Sequence, residues 1–179
     1  MSELDREANL LGALALSISD RTSAAIAAAA GQSTSAAAAL SALHHFLDRP
    51  TLDQLRQVLG LTPSGAVRLV DRLSAAGLVT RGPGGDGRSR SVVLTEEGRQ
   101  VAERVSAARA AALTGVLEAL SPAQRKTLHA LMGQVMAAVV RDKDGGAWIC
   151  RLCDLGACGR DDGHCPTANA AAARYRGDS

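Results

Sequence analysis

The chain has 179 residues, of which 46% are hydrophobic and 21% are charged, with a formal net charge of +2. This length suits one domain with its own core plus a short appendage, and the near-neutral charge indicates no partner by itself. The aromatic side chains are Phe46, Trp148 and Tyr175, too few for the stacking platforms that bind single-stranded nucleic acid or for an aromatic-lined sugar site.

Neither a membrane span nor a secretory signal is predicted. No apolar run approaches the ~20 residues that a membrane helix needs. The first residues include the acids Glu3, Asp5 and Glu7 instead of the basic segment that opens a signal peptide. We therefore expect a cytoplasmic protein without a membrane partner.

Two helices are predicted before residue 50. Residues 5–30 are rich in Ala and Leu and lack proline, which favours one long helix because alanine is the best helix former. Ser33, Thr34 and Ser35 offer caps for a second helix, which Pro50 ends.

Two shorter helices follow. Thr51 and Gln54 have the spacing of a capping box, which predicts the start of a third helix. Thr62 followed by Pro63 is typical of an N-cap and a first helical residue. Gly77 then indicates the end of the fourth helix.

The pattern changes after Gly77. Two β-prone runs, 78–81 and 91–94, flank the Gly-rich residues 82–87, and this arrangement predicts a small hairpin. Two long helices follow, beginning at Thr95 and Ser121, before a cysteine-containing segment and a polar tail.

The order helix, helix, hairpin predicts a mainly α fold: a winged helix-turn-helix with long flanking dimerisation helices. The flanking helices carry more apolar surface than a small winged domain covers, which indicates a partner chain. We divide the chain into N-terminal helices (5–49), a winged DNA-binding core (50–95), C-terminal dimerisation helices (96–145), a Cys-rich segment (146–166) and a flexible tail (167–179).

The fourth helix separates two faces at helical spacing. Its apolar face consists of Ala66, Leu69, Val70 and Leu73. Its polar face consists of Ser64, Arg68, Asp71 and Arg72. Small Ser64 and Gly65 allow close approach to a groove, and Arg68 can reach guanine or phosphate. The competing interpretation is a solvated face with an Asp71–Arg pair.

The hairpin adds positive charge. Residues 62–94 contain five Arg and two Asp, a surplus of three positive charges. An Arg beside a Gly-rich tip can enter a narrow minor groove, and Asp86 can hold Arg88 in place. The alternative is a soluble hairpin with incidental arginines, which include Arg81 and Arg90.

Four stretches resemble the MarR family of bacterial transcriptional regulators: 61–73, 76–79, 86–90 and 94–98. The resemblance spans roughly residues 5–142. It implies a homodimer held by the first and the last two helices. It also implies that the helix from Thr62 reads the major groove of duplex DNA while the wing reaches the minor groove.

The resemblance also implies which residues contact DNA. Ser64, Arg68 and Arg72 match contacts of the recognition helix, and Asp86 with Arg88 matches the wing pair. Val67 departs from the family, which often carries Thr or Ser there, and the wing is unusually Gly-rich. The predicted DNA-binding set is Thr62, Pro63, Ser64, Gly65, Arg68, Arg72, Asp86, Arg88 and Arg90.

Many family members bind small aromatic anions between their DNA-binding and dimerisation regions, so the resemblance implies a small-molecule inducer. A pocket there would be lined mainly by Ala, Leu and Val. His44 and His45 lie in this area, but adjacent helical positions point about 100° apart and do not chelate a metal. A satisfied or exposed histidine is the simpler interpretation for both, and for His129.

The four cysteines, Cys150, Cys153, Cys158 and Cys165, lie within one short segment. Four thiolates at this spacing fit a zinc ion or an iron–sulfur cluster, between which the residues do not decide. His164 could replace one ligand. Redox-active thiols, two disulfides or thiols without a role are the alternatives, although disulfides are disfavoured in the cytosol. We expect this segment to adjoin the last helix and modulate DNA affinity there.

The predicted function is a transcriptional regulator, a repressor, that binds a palindromic duplex site as a homodimer. The alternative is a redox or electron-carrying protein that uses its winged helix to contact other proteins. An enzyme is not predicted, because no nucleophile and base pair up and the Gly-rich stretch lacks the lysine of a P-loop.

Overall fold

The computed structural model describes residues 2–83, 90–141 and 146–177. Its helices are α1 Glu3–Ala30, α2 Thr34–His45, α3 Leu52–Leu59, α4 Pro63–Ala75, α5 Glu96–Leu117, α6 Pro122–Arg141, α7 Leu155–Cys158 and α8 Pro166–Gly177, with a 3-10 helix at Gly146–Leu152. Strands β1 Val79–Pro83 and β2 Arg90–Leu94 pair antiparallel, with Val79 opposite Leu94. The chain is a mainly α winged helix-turn-helix, as the sequence predicts.

Side-chain caps fix where α3 and α4 begin. Thr51 and Gln54 form the predicted capping box, with each side chain accepting a hydrogen bond from the other's backbone N–H. Thr62 accepts from the N–H of Gly65 at 3.2 Å, and Pro63 occupies the first turn of α4. Because these caps satisfy N–H groups that a helix end leaves unpaired, the start of the recognition helix is locally encoded.

The core of the winged domain lies between α2, α3, α4 and the hairpin. The predicted apolar face of α4 is buried there, together with Leu40 of α2 and Leu55 of α3. Burial of such side chains contributes roughly 1.5–3 kcal/mol each, so this domain has a hydrophobic core of its own.

The residues before α3 add a third edge to the wing. Thr51 forms a bridge with Ser91, and Val92 donates its N–H to the carbonyl of Pro50 at 2.9 Å. The sequence predicted that α2 runs to residue 49, but the helix ends at His45. The reason is this pairing with β2, for which Arg49 turns into the left-handed region with a φ of 46°.

Close contact at Gly98 joins the wing to α5. A Cβ built on Gly98 would lie 1.9 Å from the carbonyl oxygen of Leu78, so a side chain there would collide with backbone. Thr95 donates its hydroxyl to the carbonyl of Gly77 at 2.7 Å and its N–H to that of Leu78 at 3.1 Å. The start of α5 therefore sets the position of the hairpin.

Helices α1 and α6 expose apolar side chains. On α1 these are Leu4, Leu10, Leu11, Leu14 and Leu16, and on α6 they are Leu131, Met132, Val135 and Val139. The sequence suggested no membrane span, yet α1 is long and apolar enough to cross a membrane by length and composition alone. This is weak evidence, because α1 packs along α5 and carries Asp20 and Arg21 near its middle.

The C-terminal residues differ from their prediction. Residues from 167 onward were expected to form a flexible tail, but Pro166–Gly177 forms helix α8, which packs against α6. The run of alanines favours a helix, and the contact with α6 supplies the support that the residues alone do not indicate.

Candidate nucleic-acid interface and cysteine segment

The recognition helix α4 presents the predicted polar face to solvent. Ser64, Arg68, Asp71 and Arg72 are all exposed and span about two turns of the helix. Within the described residues, neither Arg68 nor Arg72 forms an ion pair with an acid. The guanidinium groups are therefore available to an outside acceptor, such as phosphate or the O6 and N7 atoms of guanine.

Asp71 pairs with an arginine, but the partner lies on the wing. Arg81 of β1 donates to Asp71 Oδ1 at 2.5 Å. Since Arg81 lies at the base of the hairpin, this bond fixes the wing relative to the outward face of α4. It also removes Arg81 and Asp71 from the set of free charges.

The N-terminal end of α4 is open to close approach. Thr62, Pro63 and Ser64 are exposed and Gly65 is half-buried. A Cβ on Gly65 would lie 3.0 Å from Thr62 Oγ1, which caps the helix. Glycine therefore keeps the cap intact while leaving a surface without side-chain bulk.

Val67, which departs from the Thr or Ser often found in the family, also lies on this face. It is 41% exposed and lies between Ser64 and Arg68 on the outward surface. An exposed branched apolar group among polar ones suits contact with the methyl group of thymine. The signal in the sequence was its place on the polar face of the helix.

Of the three wing residues in the predicted DNA-binding set, the structure describes Arg90. Arg90 begins β2 and is exposed. Asp86 and Arg88 lie outside the described residues, so their predicted pairing remains a prediction. The side of the domain that is formed by α4 and the wing therefore carries three described arginines: Arg68, Arg72 and Arg90.

A cleft of about 380 Å³ lies between the end of α2 and β2. It is lined by Leu43, His44, His45, Phe46, Leu47, Asp48, Arg49, Val92, Val93, Leu94 and Arg99. The cleft thus combines apolar walls with arginine and histidine side chains at the junction of the winged domain and α5.

His45 connects three parts of the molecule. Its Nε2 atom lies 2.9 Å from Ser106 Oγ of α5, and its Nδ1 atom lies 3.9 Å from Asp154 Oδ1 in the cysteine segment. Burial lowers the pKa of His45, and the nearby His44 lowers it further, against an opposing effect of Asp154. The two histidines meet edge to face, with ring centroids 4.8 Å apart.

The four cysteine thiols form two pairs. Cys150 and Cys153 share one hydrogen bond, and Cys158 and Cys165 share another. Cys150 and Cys165 are buried, whereas Cys153 and Cys158 are half-buried. All four are free thiols, and among the described residues no group of three or more metal-binding side chains surrounds a common point.

The pairing perturbs the thiols in opposite directions. The hydrogen bond from Cys150, together with Arg109, Arg151 and Arg160, lowers the pKa of Cys153 to about 6 against the opposing effect of burial. The same hydrogen bond and burial raise the pKa of Cys150. Burial and the bond to Cys165 raise the pKa of Cys158 to about 11. Cys153 is therefore the thiol most readily ionised near neutral pH.

The cysteine segment adjoins the last long helix, as expected, and makes a further contact that was not predicted. The 3-10 helix Gly146–Leu152 packs against α2 and α3, while α8 packs against α6. Leu152 also contacts the core of the winged domain. The segment thus bridges the DNA-binding core and the C-terminal helices, a long-range contact that no local pattern encodes.

Comparison with known proteins agrees with this geometry. Residues 33–89, which include α2, α3, α4 and β1, match the model of the MarR family. No curated protein sequence matches the chain significantly. The cysteine segment lies outside the matched residues.

Solved structures share the fold. RV1404 from Mycobacterium tuberculosis superposes with a TM-score of 0.65 at 25% identity, over 77% of this chain and 95% of its own. MepR, a regulator of a Staphylococcus aureus multidrug efflux pump, gives 0.65 at 15% identity, over 74% and 97%.

A third structure contains a small ligand. RV2887 of Mycobacterium tuberculosis, a MarR family protein in complex with p-aminosalicylic acid, gives a TM-score of 0.57 at 24% identity, over 72% of this chain and 96% of its own. The winged core is therefore similar to the MarR family, whose model matches residues 33–89, and these structures share its winged-helix fold.

Proposed function

We propose that the protein is a transcriptional repressor in the cytoplasm that binds a palindromic DNA site as a homodimer. The observation that carries this proposal is the outward face of α4. There Ser64, Val67, Arg68 and Arg72 are exposed together, and Arg68 and Arg72 form no ion pair within the described residues.

The face divides into positioning and reading groups. The open N-terminus of α4 approaches a phosphate through the hydroxyl and backbone N–H of Ser64, because the N–H of Gly65 is bound to Thr62 and Pro63 has none. Arg68, one turn further along, reaches the base edges of the major groove, where a forked contact to guanine is the commonest specific contact. Arg90 and the wing contact the adjacent backbone or minor groove.

The exposed apolar faces of α1 and α6 support a homodimer. Leucines of α1 such as Leu10 and Leu16 are each 69% exposed, and Leu131 of α6 is 53% exposed. A monomer rarely leaves contiguous apolar patches of this kind in water. Two-fold pairing of these faces places two α4 helices for half-sites about one helical turn apart.

Duplex selection followed by salt titration tests the DNA-binding function. The full-length protein selects a two-fold symmetric sequence from a random library, and its affinity falls linearly with the logarithm of salt concentration because phosphate contacts release counterions. Arg104→Ala, an exposed arginine on α5, is the matched control for Arg68→Ala. Selection without sequence enrichment, or salt-independent affinity, contradicts the proposal and favours the protein-interaction alternative.

We also propose a small aromatic anion as inducer, bound in the cleft beside His44 and Arg99. The cleft combines apolar walls with the guanidinium groups of Arg49 and Arg99, the latter paired with Glu96, and RV2887 has been crystallised with p-aminosalicylic acid. Displacement of the selected duplex by salicylate, but not by the neutral benzyl alcohol, supports this inducer. Arg99→Gln then weakens the effect of salicylate, and equal displacement by both compounds contradicts the proposal.

Modulation by the cysteine segment completes the proposed function. The segment touches α2 and α3 of the winged domain, so its state bears on the position of α4. DNA affinity measured for metal-loaded, metal-stripped and oxidised protein tests this part, and equal affinity in all three states contradicts it.

A further inference from the structure

The C-terminal segment has almost no hydrophobic core of its own. Among its described residues, the buried side chains are Cys150, Cys165 and Thr167. Segments this small rarely fold on apolar burial alone, and they rely on cross-links or a bound metal instead. The two cysteines therefore occupy the positions where a core would otherwise lie.

The four cysteines come from successive elements of one short segment. Cys150 lies in the 3-10 helix, Cys158 ends α7, and Cys165 precedes α8, where its sulfur accepts the N–H of Ala168 at 3.5 Å. Between the last two, Gly159 and Gly163 adopt left-handed φ values of 63° and 73°. These turns reverse the chain so that Cys165 returns to Cys158.

Positive charge lies near the thiols. Arg109 of α5 lines one cleft with Cys153 and Cys158, and Arg151 and Arg160 lie two residues from Cys153 and Cys158 along the chain. A divalent cation held by four thiolates carries a net charge of −2, which nearby cations offset in a partly buried site. Arginines from two sides of the segment thus suit a negatively charged centre at the cysteines.

We propose that Cys150, Cys153, Cys158 and Cys165 hold one tetrathiolate metal centre that fastens the winged domain to the C-terminal helices. The chemistry is shared by Zn²⁺ and by an iron–sulfur cluster, since both take four cysteine thiolates. Binding of Zn²⁺ releases the thiol protons to solvent and changes no oxidation state. Among the described residues no three such side chains surround a common point in this structure, so metal binding would draw the two thiol pairs together.

The fastening acts on both sides of the centre. On one side, the 3-10 helix with Cys150 packs on α2 and α3, and Asp154 lies 3.9 Å from His45. On the other side, Cys165 directly precedes α8, which packs on α6. The consequence for DNA rests on the proposed function: loss of the centre uncouples α4 from the helices expected to set dimer spacing.

Metal analysis of the full-length protein, purified without oxygen, tests the centre independently of DNA. We expect about one zinc per chain, or iron with an equal amount of acid-labile sulfide. A protein that holds zinc is colourless, whereas a protein that holds an iron–sulfur cluster is brown. Substoichiometric metal together with four thiols that react freely with a thiol reagent would overturn the proposal.

Variants identify the ligands. Cys150→Ser and Cys158→Ser each remove one member of a thiol pair, and both should lose the metal. His164→Ala, beside Cys165 and exposed, is the matched control and should keep it. Retention of full metal by both cysteine variants, or loss in the control, overturns the four-cysteine set.

Hydrogen exchange on the wild-type protein avoids the risk that a variant fails to fold. Removal of the metal by a chelator should raise exchange in residues 146–177 and leave the amides of α3 and α4 protected. Unchanged exchange in the segment would mean that the centre does not hold it, which overturns the fastening.

DNA affinity then tests the consequence. Metal removal should change affinity for the selected duplex by about 5- to 150-fold, the usual range of coupling between two sites, and should not change the affinity of Cys150→Ser. Bound metal with unchanged affinity overturns the coupling and leaves the proposed function standing. Bound metal without any duplex binding overturns the proposed function and leaves the centre standing.

Discussion

The winged core and the cysteine segment are stabilised in different ways. In the core, caps at Thr51 and Thr62 set the helix starts, and buried carbon such as Leu55 and Val70 holds the helices together. In the segment, sulfur takes the buried positions at Cys150 and Cys165. Burial of carbon does not depend on metal or oxidation state, whereas the proposed metal centre would make the stability of the segment depend on both.

Truncation of a buried leucine should give the largest difference in unfolding free energy between the winged core and the cysteine segment. Leu55→Ala removes a fully buried side chain of α3 and should lower the free energy of unfolding by about 2–5 kcal/mol. Leu155→Ala, in the cysteine segment and half-buried, should cost less than about 1 kcal/mol. Urea unfolding at one protein concentration measures both, and equal losses would contradict the distinction.

Crowding at the root of the wing should give the next largest effect. Gly98→Ala places a methyl group against the carbonyl of Leu78, so the backbone must shift, at about 1–3 kcal/mol of unfolding free energy. Gly115→Ala, on the same helix with nothing within 4 Å, should instead stabilise the protein slightly. A wild-type urea midpoint for Gly98→Ala would show that the wing is not held there.

Two substitutions on α4 separate the kinds of contact that the core makes with DNA. Arg68→Ala should weaken duplex binding by about 1–3 kcal/mol and relax base preference at one position. Unchanged preference would assign Arg68 to a phosphate. Affinities are compared across duplexes that differ at single base pairs.

Val67→Ser should have a smaller effect on the same face. The exposed valine is expected to meet a thymine methyl group, so its replacement should lower preference for thymine by about 1 kcal/mol or less. A uracil-containing duplex, which lacks the methyl group, should abolish the difference between variant and wild type. A difference that persists with uracil would exclude the methyl contact.

The smallest effect concerns the contact between the two regions. Burial lowers the folded-state pKa of His45, so the unfolded chain binds more protons near pH 6. The contribution of neutral His45 is therefore complete above pH ~6.5 and is lost as the pH falls through the lower folded value.

Stability should decline on acidification, and His45→Gln should flatten the decline. Unfolding free energies between pH 5 and 7.5 measure both slopes. Identical slopes for His45→Gln and wild type would show that this histidine does not titrate on unfolding.

Local signals made the winged core predictable. The pairs Thr51 with Gln54 and Thr62 with Pro63 mark α3 and α4, and the helical period of α4 separates its buried face from Ser64 and Arg68. The predicted end of α2 was wrong, because the hydrogen bond from Val92 to the carbonyl of Pro50 determines where the helix stops. A contact between residues far apart in the sequence is not encoded in local helix propensity.

The candidate sites divide in the same way. The outward position of Arg68 follows from periodicity, and spacing alone singles out the cysteines. The contact of the 3-10 helix with α2 and α3 was not predicted, since more than 80 residues separate Cys150 from α3 and folding alone brings them together. Tertiary packing likewise makes a helix of α8, where sequence suggested a tail.

The hydrogen bond from Val92 to Pro50 gives the wing a built-in reporter. The donor belongs to β2, whereas the acceptor follows the loop that lines the cleft, so this one amide is shielded only while strand and loop stay together. The rate at which this amide exchanges with solvent deuterium therefore reports how often β2 and the loop separate. A ligand that tightens the cleft would slow the exchange at Val92 before any change in DNA binding is measured.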